Sequence, residues 1–254
     1  MMYANSLNFT PLALGTVKLG RNAGVKYPAP FNLPSDQHAA DLLALAADLG
    51  ITTLDTAPAY GIAEERLGKL IADRNDRDRW TLCTKVGESF DPVTAESTFD
   101  FTASGVRASI ERSLERLRTD RLDLVCIHSD GDDLDIFHHS DAVAALRELK
   151  AAGKIRAIGA STKTVEGGLW SAEHLDATMI TVNAAEQAER VVAERAAEFG
   201  TAILVKKALA SGHKTESPVD QLRAVLKTEG VTSVVVGTIS LDHLRENARA
   251  MSPA

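Results

Sequence analysis

The alternation of short apolar runs with longer amphipathic segments is the feature that most constrains how this sequence can fold. Eight runs rich in Val, Ile and Leu are each followed by a segment whose apolar residues recur at helical spacing. Strands that are joined through crossover helices must be parallel, and such connections are right-handed. Eight strand–helix pairs within 254 residues therefore predict one α/β domain over residues 1–254, a closed (β/α)8 TIM barrel.

The predicted boundaries follow that alternation. The predicted strands are residues 11–16, 51–55, 80–87, 121–129, 154–162, 177–183, 202–209 and 232–238. The predicted helices are residues 35–50, 63–73, 101–118, 141–153, 164–174, 185–200, 219–230 and 240–251. Ser35 suits the N-cap of the first helix and Gly50 its C-terminal stop. The residues between the third strand and the helix at 101–118 are predicted to form a polar loop.

Composition and charge exclude several kinds of partner. The formal net charge is −7 and no run of Lys or Arg occurs, which counts against nucleic-acid and anionic-membrane partners. No stretch of 18 consecutive apolar residues is present, so no membrane-spanning helix is expected. Cys83 and Cys126 lie inside apolar runs, and no signal peptide is evident, which together indicate reduced thiols and a cytoplasmic protein. We expect a monomer or a weak homo-oligomer.

Ionisable residues follow three neighbouring predicted strands at the end where a parallel barrel carries its chemistry. Asp55 ends the second strand and Tyr60 lies in the loop beyond it, while Lys85 ends the third strand and His128 the fourth. Alone, each has an ordinary explanation as a helix cap, a packed aromatic, a solvated lysine or a core histidine. Together they indicate a site at the barrel mouth. The later strands end on Ser161, Thr162, Asn183, Lys206 and Lys207.

These four residues suit proton transfer to a carbonyl oxygen. A phenol with a pKa of about 10 is a weak acid at neutral pH, and a nearby ammonium lowers that pKa by favouring the phenolate. A carboxylate keeps the ammonium charged, and a histidine can hold the carbonyl oxygen or relay the proton. Tyr60 would therefore act as the general acid. No side chain can supply the hydride that must reach carbon, so the pattern predicts a nicotinamide cofactor.

The sequence resembles the aldo-keto reductase family, and in particular its bacterial branch that includes aldose dehydrogenases. The resemblance covers almost the whole chain, in family order, and rests on the motifs "GITTLDTAPAYGIAEERLGKL", "TKVG", "DLVCIHSD", "GKIRAIGAST" and "VVVGTISLDHLRENARA". It implies an eight-stranded barrel without a metal that reduces a carbonyl or oxidises an alcohol, the substrate being an aldehyde, a ketone or a sugar. It places the catalytic tetrad of the family on Asp55, Tyr60, Lys85 and His128.

The same resemblance implies a set of contacts to the cofactor. Ser161 and Thr162 would face the nicotinamide carboxamide. Met179 replaces a glutamine of the family, and Lys206 replaces an aromatic residue that stacks on the ring. The methylene stem of Lys206 could cover the ring while its charge points outward. The implied cofactor-binding residues are Gly15, Thr16, Asp55, Ser161, Thr162, Asn183, Lys206, Leu209, Ser211, Gly237, Thr238, His243, Glu246 and Asn247.

The choice between the two nicotinamide cofactors depends on the last strand and helix. The N-terminus of the last helix can hold a phosphate group. Family members that are specific for the 2′-phosphate commonly carry a lysine at the position of Gly237 and an arginine at the position of His243. The family frequency nevertheless favours NADP(H) over NAD(H).

Two other functions fit parts of the pattern. A lysine at a strand end, which is Lys85, Lys206 or Lys207, could form a Schiff base with a carbonyl substrate. The departures at Met179 and Lys206 would instead suit a catalytically weak barrel that binds the nucleotide as a redox sensor.

The loop after the first strand is long, polar and aromatic. It is expected to be either a mobile surface loop or a wall of the substrate site, with Lys26, Tyr27 and Phe31 near the mouth.

Overall fold

The computed structural model describes residues 7–25, 27–212 and 217–252. Ten strands occur within these ranges, and eight of them close a parallel barrel in the order β1-β10-β9-β8-β7-β6-β3-β2, which confirms the predicted (β/α)8 fold. The strands are β1 (Leu12–Gly15), β2 (Thr53–Asp55), β3 (Thr81–Val86), β4 (Glu88–Asp91), β5 (Glu96–Phe99), β6 (Leu122–His128), β7 (Ile155–Ser161), β8 (Ala177–Thr181), β9 (Ala202–Lys206) and β10 (Val231–Gly237).

Helices connect successive barrel strands, and several of them begin at a hydroxyl cap. In α2, for example, the hydroxyl of Ser35 accepts a hydrogen bond from the backbone N–H of His38, as expected of an N-cap. The helices are α1 (Val17–Gly20), α2 (Asp36–Asp48), α3 (Ala63–Arg74), α4 (Ala103–Leu117), α5 (Asp133–His139), α6 (Ala142–Ala151), α7 (Val165–His174), α8 (Arg190–Phe199), α9 (Pro218–Leu226) and α10 (Leu241–Ala248). In the part of the chain that is described, no helix has both the length and the apolar character needed to cross a membrane.

Four segments differ from the sequence prediction, among them the short helix α1, which was not predicted. The predicted polar loop after β3 contains the antiparallel hairpin β4–β5, in which Glu88 pairs with Phe99 and Asp91 with Glu96. The helix α5 was not predicted. The helix α8 begins at Arg190 rather than at residue 185, because the side chain of Asn183 accepts from two backbone N–H groups and holds the preceding residues in a turn.

The strand register aligns the predicted strand ends across the barrel mouth. Gly15 of β1 lies beside Asp55 of β2 on one side and beside Gly237 of β10 on the other. Further round the barrel, Ser161 of β7 lies between His128 of β6 and Met179 of β8. Because neighbouring strands are about 4.8 Å apart, side chains from adjacent strand ends can meet over one opening.

The barrel interior is apolar below that mouth. Side chains of Cys83, Leu124, Cys126 and Leu204 form a buried cluster inside the barrel, and a larger cluster fills the layer between strands and helices. Alternation along β3 points Cys83 and Lys85 to the same face. Both thiols are free, and burial raises the pKa of Cys126 to about 12, so it stays protonated. The site at the mouth therefore lies above an apolar barrel interior.

A backbone contact between two glycines fixes the turn that carries Tyr60. The 3₁₀ turn Pro58–Tyr60 ends at Gly61, whose φ of 61° lies in the left-handed region. A Cβ at Gly20 would lie 2.3 Å from the carbonyl oxygen of Tyr60, and a Cβ at Gly61 would lie 2.2 Å from the carbonyl oxygen of Gly20. Only glycine at both positions lets this turn pack directly on the end of α1.

Candidate active site

The four residues of the predicted tetrad lie together at the barrel mouth. The ammonium of Lys85 is 2.6 Å from Oδ1 of Asp55, and it also donates to the carbonyl oxygen of Thr56 at 2.8 Å. The same ammonium lies 4.8 Å from the centre of the Tyr60 ring. The ring of His128 stands edge-on to Tyr60, with ring centres 6.4 Å apart. The fold thus places a phenol, an ammonium, a carboxylate and an imidazole in one cluster.

Burial and charge set the protonation of this cluster. Burial lowers the pKa of Lys85, but the charges of Asp55 and Tyr60 and the hydrogen bond to Asp55 outweigh it, so the pKa is raised and the ammonium keeps its proton. This counts against Lys85 as a Schiff-base nucleophile. Burial also raises the pKa of Tyr60 above 10, and the opposing effect of Lys85 does not cancel it. The expected lowering of that pKa is therefore not found, and the phenol is protonated at neutral pH.

A carboxylate that the sequence did not indicate contacts the histidine of the cluster. Oε2 of Glu88 lies 2.7 Å from Nδ1 of His128, although the angle departs from that of a straight hydrogen bond. Burial raises the pKa of the Glu88 carboxyl. The contact with His128 and the charge of that ring, the hydrogen bond from Ser97 and the charge of Arg21 outweigh this effect and lower the pKa to about 2. Burial lowers the pKa of His128, and Glu88 opposes that effect. A carboxylate at Nδ1 favours the tautomer that carries its proton there, which leaves Nε2 as the free ring nitrogen.

One cavity of about 1040 Å³ contains this cluster, at the upper end of the usual size for ligand sites. It extends from the tetrad across the ends of β7 to β10 and reaches the first turns of α10. The residues predicted from the sequence that line it are Gly15, Thr16, Asp55, Tyr60, Lys85, His128, Ser161, Thr162, Lys206, Leu209, Ser211, Gly237, Thr238, His243, Glu246 and Asn247.

Asn183 is the exception among the predicted site residues. Its Oδ1 accepts from the backbone N–H groups of Ala185 and Glu186, and its Nδ2 donates to the carbonyl oxygen of Lys207 at 3.2 Å. It lines a separate cavity of about 200 Å³. Asn183 therefore does not line the large cavity with the other predicted residues, and its amide closes the turn after β8.

Lys206 points into the site instead of outward. Its Nζ donates to the hydroxyl of Ser161 at 2.9 Å and to the carbonyl oxygen of Thr162 at 2.7 Å. Burial lowers its pKa to about 8, and the positive charges of Lys207 and Lys85 add to that effect against the carboxylate of Glu189. The prediction of an outward-pointing charge is wrong, because the strand-end oxygens of β7 bind the ammonium across the mouth.

The loop after β1 forms a wall of the same cavity. Tyr27 and Phe31 line it, with their rings edge-on and their centres 5.6 Å apart. The ammonium of Lys18 lies 4.1 Å from the centre of the Tyr27 ring, a cation–π contact that fixes the loop to the end of the barrel. Lys26, which was predicted beside them, lies outside the described residues. The geometry agrees with a substrate wall in this loop.

The helix α10 supplies the other end of the cavity. The hydroxyl of Ser240 caps it by accepting from the backbone N–H of His243 at 3.2 Å. His243, Glu246 and Asn247 of this helix line the cavity, and Lys207 adds a positive charge at the rim. The N-terminus of a helix attracts anions through its N–H groups and its dipole. The cavity therefore has one end that holds the phenol and the ammonium of Lys85 and another end that suits an anion.

Comparison with known proteins agrees with this geometry. A model of the aldo/keto reductase family matches residues 11–220. The chain is 34% identical over 173 residues to D-threo-aldose 1-dehydrogenase from a Pseudomonas species, which is 60% of this chain and 52% of that protein. It is also 34% identical over 171 residues to D-arabinose 1-dehydrogenase from Saccharomyces cerevisiae, 65% of this chain and 46% of that protein. The chain thus spans about half the length of the curated relatives that it matches.

A solved structure is similar over a greater length. The crystal structure of a proposed aldo-keto reductase from Pseudomonas aeruginosa is 50% identical, with a TM-score of 0.87, and the match covers 96% of this chain and 90% of that one. The family model matches most of the sequence, and the closed barrel agrees with the fold that the family implies. This chain therefore belongs to the aldo/keto reductase family.

Proposed function

We propose that the chain is an oxidoreductase that transfers a hydride between NAD(P)(H) and a carbonyl or alcohol substrate, with Tyr60 as the general acid and base. The observation that carries this proposal is the ammonium of Lys85, which binds Asp55 at 2.6 Å and lies 4.8 Å from the Tyr60 ring. A buried phenol beside a buried, charge-balanced ammonium can release a proton and recover it.

The residues of the cluster have different roles in this proposal. Tyr60 holds the proton that goes to the substrate oxygen during reduction, and it receives that proton during oxidation. Lys85 stabilises the phenolate that remains, and Asp55 holds Lys85 in place without taking part in the transfer. His128 orients the substrate oxygen through Nε2. When bound, the nicotinamide supplies or accepts the hydride, which no side chain can do.

The residues along the cavity fit a dinucleotide. The N-terminal turn of α10 offers N–H groups to a phosphate, and Lys207 lies at the rim. Gly237 keeps the passage between the two ends open, since a Cβ there would project to 3.3 Å from the Tyr27 hydroxyl. Thr238 and His243 can hydrogen-bond a 2′-phosphate and Lys207 can balance its charge, which together with the family frequency leads us to propose NADP(H) in preference to NAD(H).

The substrate we propose is a small aldehyde, ketone or sugar. Curated relatives named as dehydrogenases of D-threo-aldoses and of D-arabinose support the sugar class. The wall formed by Tyr27 and Phe31 offers aromatic surface to a sugar ring or another small carbonyl compound. We further propose that the protein works in the cytoplasm as a monomer or a weak homo-oligomer.

The first experiment separates chemistry from binding. Tyr60→Phe should lower kcat on aldehyde, ketone and aldose substrates by about 10²- to 10⁴-fold, as expected when a general acid is removed. The dissociation constant of NADPH, measured by its fluorescence, should change little. Tyr27→Phe removes the other phenol of the cavity and should alter KM more than kcat. Unchanged turnover in Tyr60→Phe would contradict the proposal.

A second candidate function rests on Lys206. An amine with a pKa of about 8 beside a cavity is partly unprotonated at neutral pH and can attack a carbonyl carbon. The attack forms a carbinolamine that loses water to give an imine. Borohydride in the presence of an aldehyde substrate would trap that imine as a stable adduct on Lys206, which mass spectrometry detects. Absence of the adduct, with turnover intact, would exclude this candidate.

A further inference from the structure

The ammonium of Lys206 lies in the cavity at the barrel mouth and has no carboxylate as a hydrogen-bond acceptor in the described part of the chain. Both of its acceptors, the hydroxyl of Ser161 and the carbonyl oxygen of Thr162, are neutral. Among the described residues, no carboxylate forms an ion pair with it. Lys85 differs, because Asp55 lies 2.6 Å from its ammonium. A half-buried charge whose hydrogen-bond acceptors are neutral acts over a longer range than one that is paired with an opposite charge.

Several titratable groups surround this ammonium, on different elements of the fold. Glu189, before α8, exerts the largest opposing charge, but its carboxylate accepts from the backbone N–H of Thr181 at 3.2 Å. Burial raises the pKa of that carboxyl, and Lys206 opposes the rise. The titratable groups that interact with Lys206 are Glu189, Lys207, Lys85, Asp133, His128 and Cys126.

The register places this charge close to the proposed chemistry. Lys206 lies beside Thr181 across β8 and β9, yet its ammonium reaches back to Ser161 on β7. Ser161 is the register partner of His128, so the ammonium that donates to Ser161 lies at the strand end next to the one that carries the histidine. A group that delivers a hydride to a carbon whose oxygen meets Tyr60 must lie within contact distance of that carbon. It must therefore lie near Lys206 as well.

We propose that Lys206 makes this site select the reduced form of the nicotinamide cofactor over the oxidised form. The reduced ring is neutral and the oxidised ring carries a positive charge, so only the oxidised ring is repelled by the ammonium. This inference rests on the proposed function, because it requires a nicotinamide in the cavity. It goes beyond that function in assigning a preferred direction, namely carbonyl reduction followed by release of the oxidised cofactor.

The balance of charge in one turnover explains the preference. During reduction, the neutral cofactor ring would give a hydride to the substrate carbon and become a cation, while Tyr60 would give its proton to the substrate oxygen and regain a proton from solvent. The hydride donor thus acquires a positive charge beside an existing one. The repulsion weakens binding of the product form and raises the reduction potential of the bound couple. The neutral ring of the reduced form is not repelled, and the phosphates that both forms share are affected alike.

The experiment measures binding of both forms without any substrate. Isothermal titration calorimetry gives the dissociation constants of NADPH and NADP⁺ for the wild-type protein, and the ratio Kd(NADP⁺)/Kd(NADPH) is the readout. Two charges that repel across about 10 Å in a partly buried site change affinity by about tenfold. Lys206→Met should therefore lower the ratio about tenfold, mainly by strengthening the binding of NADP⁺.

A second variant separates charge from hydrogen bonding. Lys206→Gln is neutral but keeps an N–H donor for Ser161 or Thr162, and it should lower the ratio as much as Lys206→Met does. Lys207→Met is the matched control, because it removes a neighbouring positive charge that is exposed to solvent. It should change both dissociation constants by the same factor and leave the ratio unchanged.

The pH dependence tests the inference on the wild-type protein alone. The pKa of Lys206 is about 8, so the ammonium is mostly charged at pH 7 and mostly neutral at pH 9. The ratio should fall severalfold over that range in the wild-type protein and stay flat in Lys206→Gln. Binding of NADP⁺ should also release protons, seen as a dependence of the binding enthalpy on the buffer.

The outcomes distinguish this inference from the proposed function. If neither NADPH nor NADP⁺ binds, both are overturned. If both bind, but the ratio is the same in the wild type and in both Lys206 variants and does not vary with pH, only the inference is overturned. If the ratio falls in Lys206→Met but not in Lys206→Gln, the preference for the reduced form depends on hydrogen bonding and not on charge, and the inference is overturned.

Discussion

Glu88 and His128 form a 2.7 Å contact between Oε2 of the carboxylate and Nδ1 of the ring. The glutamate comes from β4 of the hairpin, and its Oε1 accepts from the hydroxyl of Ser97 on β5 at 2.5 Å. An element outside the barrel sheet thus reaches into the proton-transfer cluster and holds its histidine.

Removing this carboxylate should weaken catalysis without removing it. Glu88→Gln leaves His128 without the negative charge that orients its ring and raises its pKa. We expect kcat to fall about tenfold, since a partner that orients an active-site ring through its far nitrogen commonly contributes 10- to 100-fold. The acidic limb of the pH–rate profile should move to lower pH. Glu96→Gln, an exposed carboxylate on β5, is the control, and matching profiles for the two variants would contradict this role.

The contact between Glu88 and His128 should make the free energy of unfolding depend on pH. The pKa of Glu88 is about 2 in the folded protein and about 4.3 in an unfolded chain. Because the folded value is the lower one, the stabilisation is complete above about pH 4.3 and is lost as the pH falls towards 2. Urea midpoints from pH 7 to 2 should show wild type and Glu88→Gln converging below pH 4. A difference that stays constant over this range would refute the linkage.

The buried ion pair between Lys85 and Asp55 should be costly to break on one side. Lys85→Met leaves the carboxylate of Asp55 buried and unpaired, which should lower the free energy of unfolding by about 3–5 kcal/mol. Adding Asp55→Asn should restore part of that loss. Neither variant should turn over substrate. Chemical denaturation measures the change, and Asp242→Asn, which breaks an exposed pair with Arg245, should cost less than about 1 kcal/mol. Equal losses at the two pairs would contradict the buried assignment.

Enlarging Gly20 should displace the catalytic phenol. A Cβ at this position would lie 2.3 Å from the carbonyl oxygen of Tyr60, so Gly20→Ala must push the turn away from α1. Misplacing a catalytic group by about 1 Å can cost 10²-fold, and we expect kcat to fall at least tenfold. Gly50→Ala is the control, because no atom lies within 4 Å of its Cβ and only its φ of 75° is strained. Wild-type kcat in Gly20→Ala would show that the turn tolerates the shift.

The sequence predicted the barrel and the residues at its mouth because both follow simple periodicity. Apolar runs at regular spacing imply parallel strands, and parallel strands bring their ends to one opening. Tyr60 could be placed at the mouth because it follows the end of β2 within one short turn, which contains Pro58 and ends at Gly61. These parts of the site depend on local spacing alone.

The parts that were missed depend on side-chain direction. Glu88 lies in a polar segment without apolar alternation, so nothing in the sequence distinguished its hairpin from a loop or showed that it reaches His128. Asn183 ends a strand like the others, but its amide turns back on its own backbone. The lysine at 206 could extend outward or inward, and the choice depends on oxygens of Ser161 and Thr162 that sequence spacing does not bring to it.

The contact between Gly20 and the turn that carries Tyr60 has a consequence for how such a protein can be altered. The turn that carries the phenol packs on main-chain atoms of Gly20 and accepts a hydrogen bond from Arg21 at the carbonyl oxygen of Ala59, and neither contact involves Tyr27 or Phe31. The aromatic wall at Tyr27 and Phe31 could therefore be exchanged for another shape while the proton donor stays where it is. We expect substitutions in that wall to change the choice of substrate more than the position of the phenol, so the two properties are open to separate redesign.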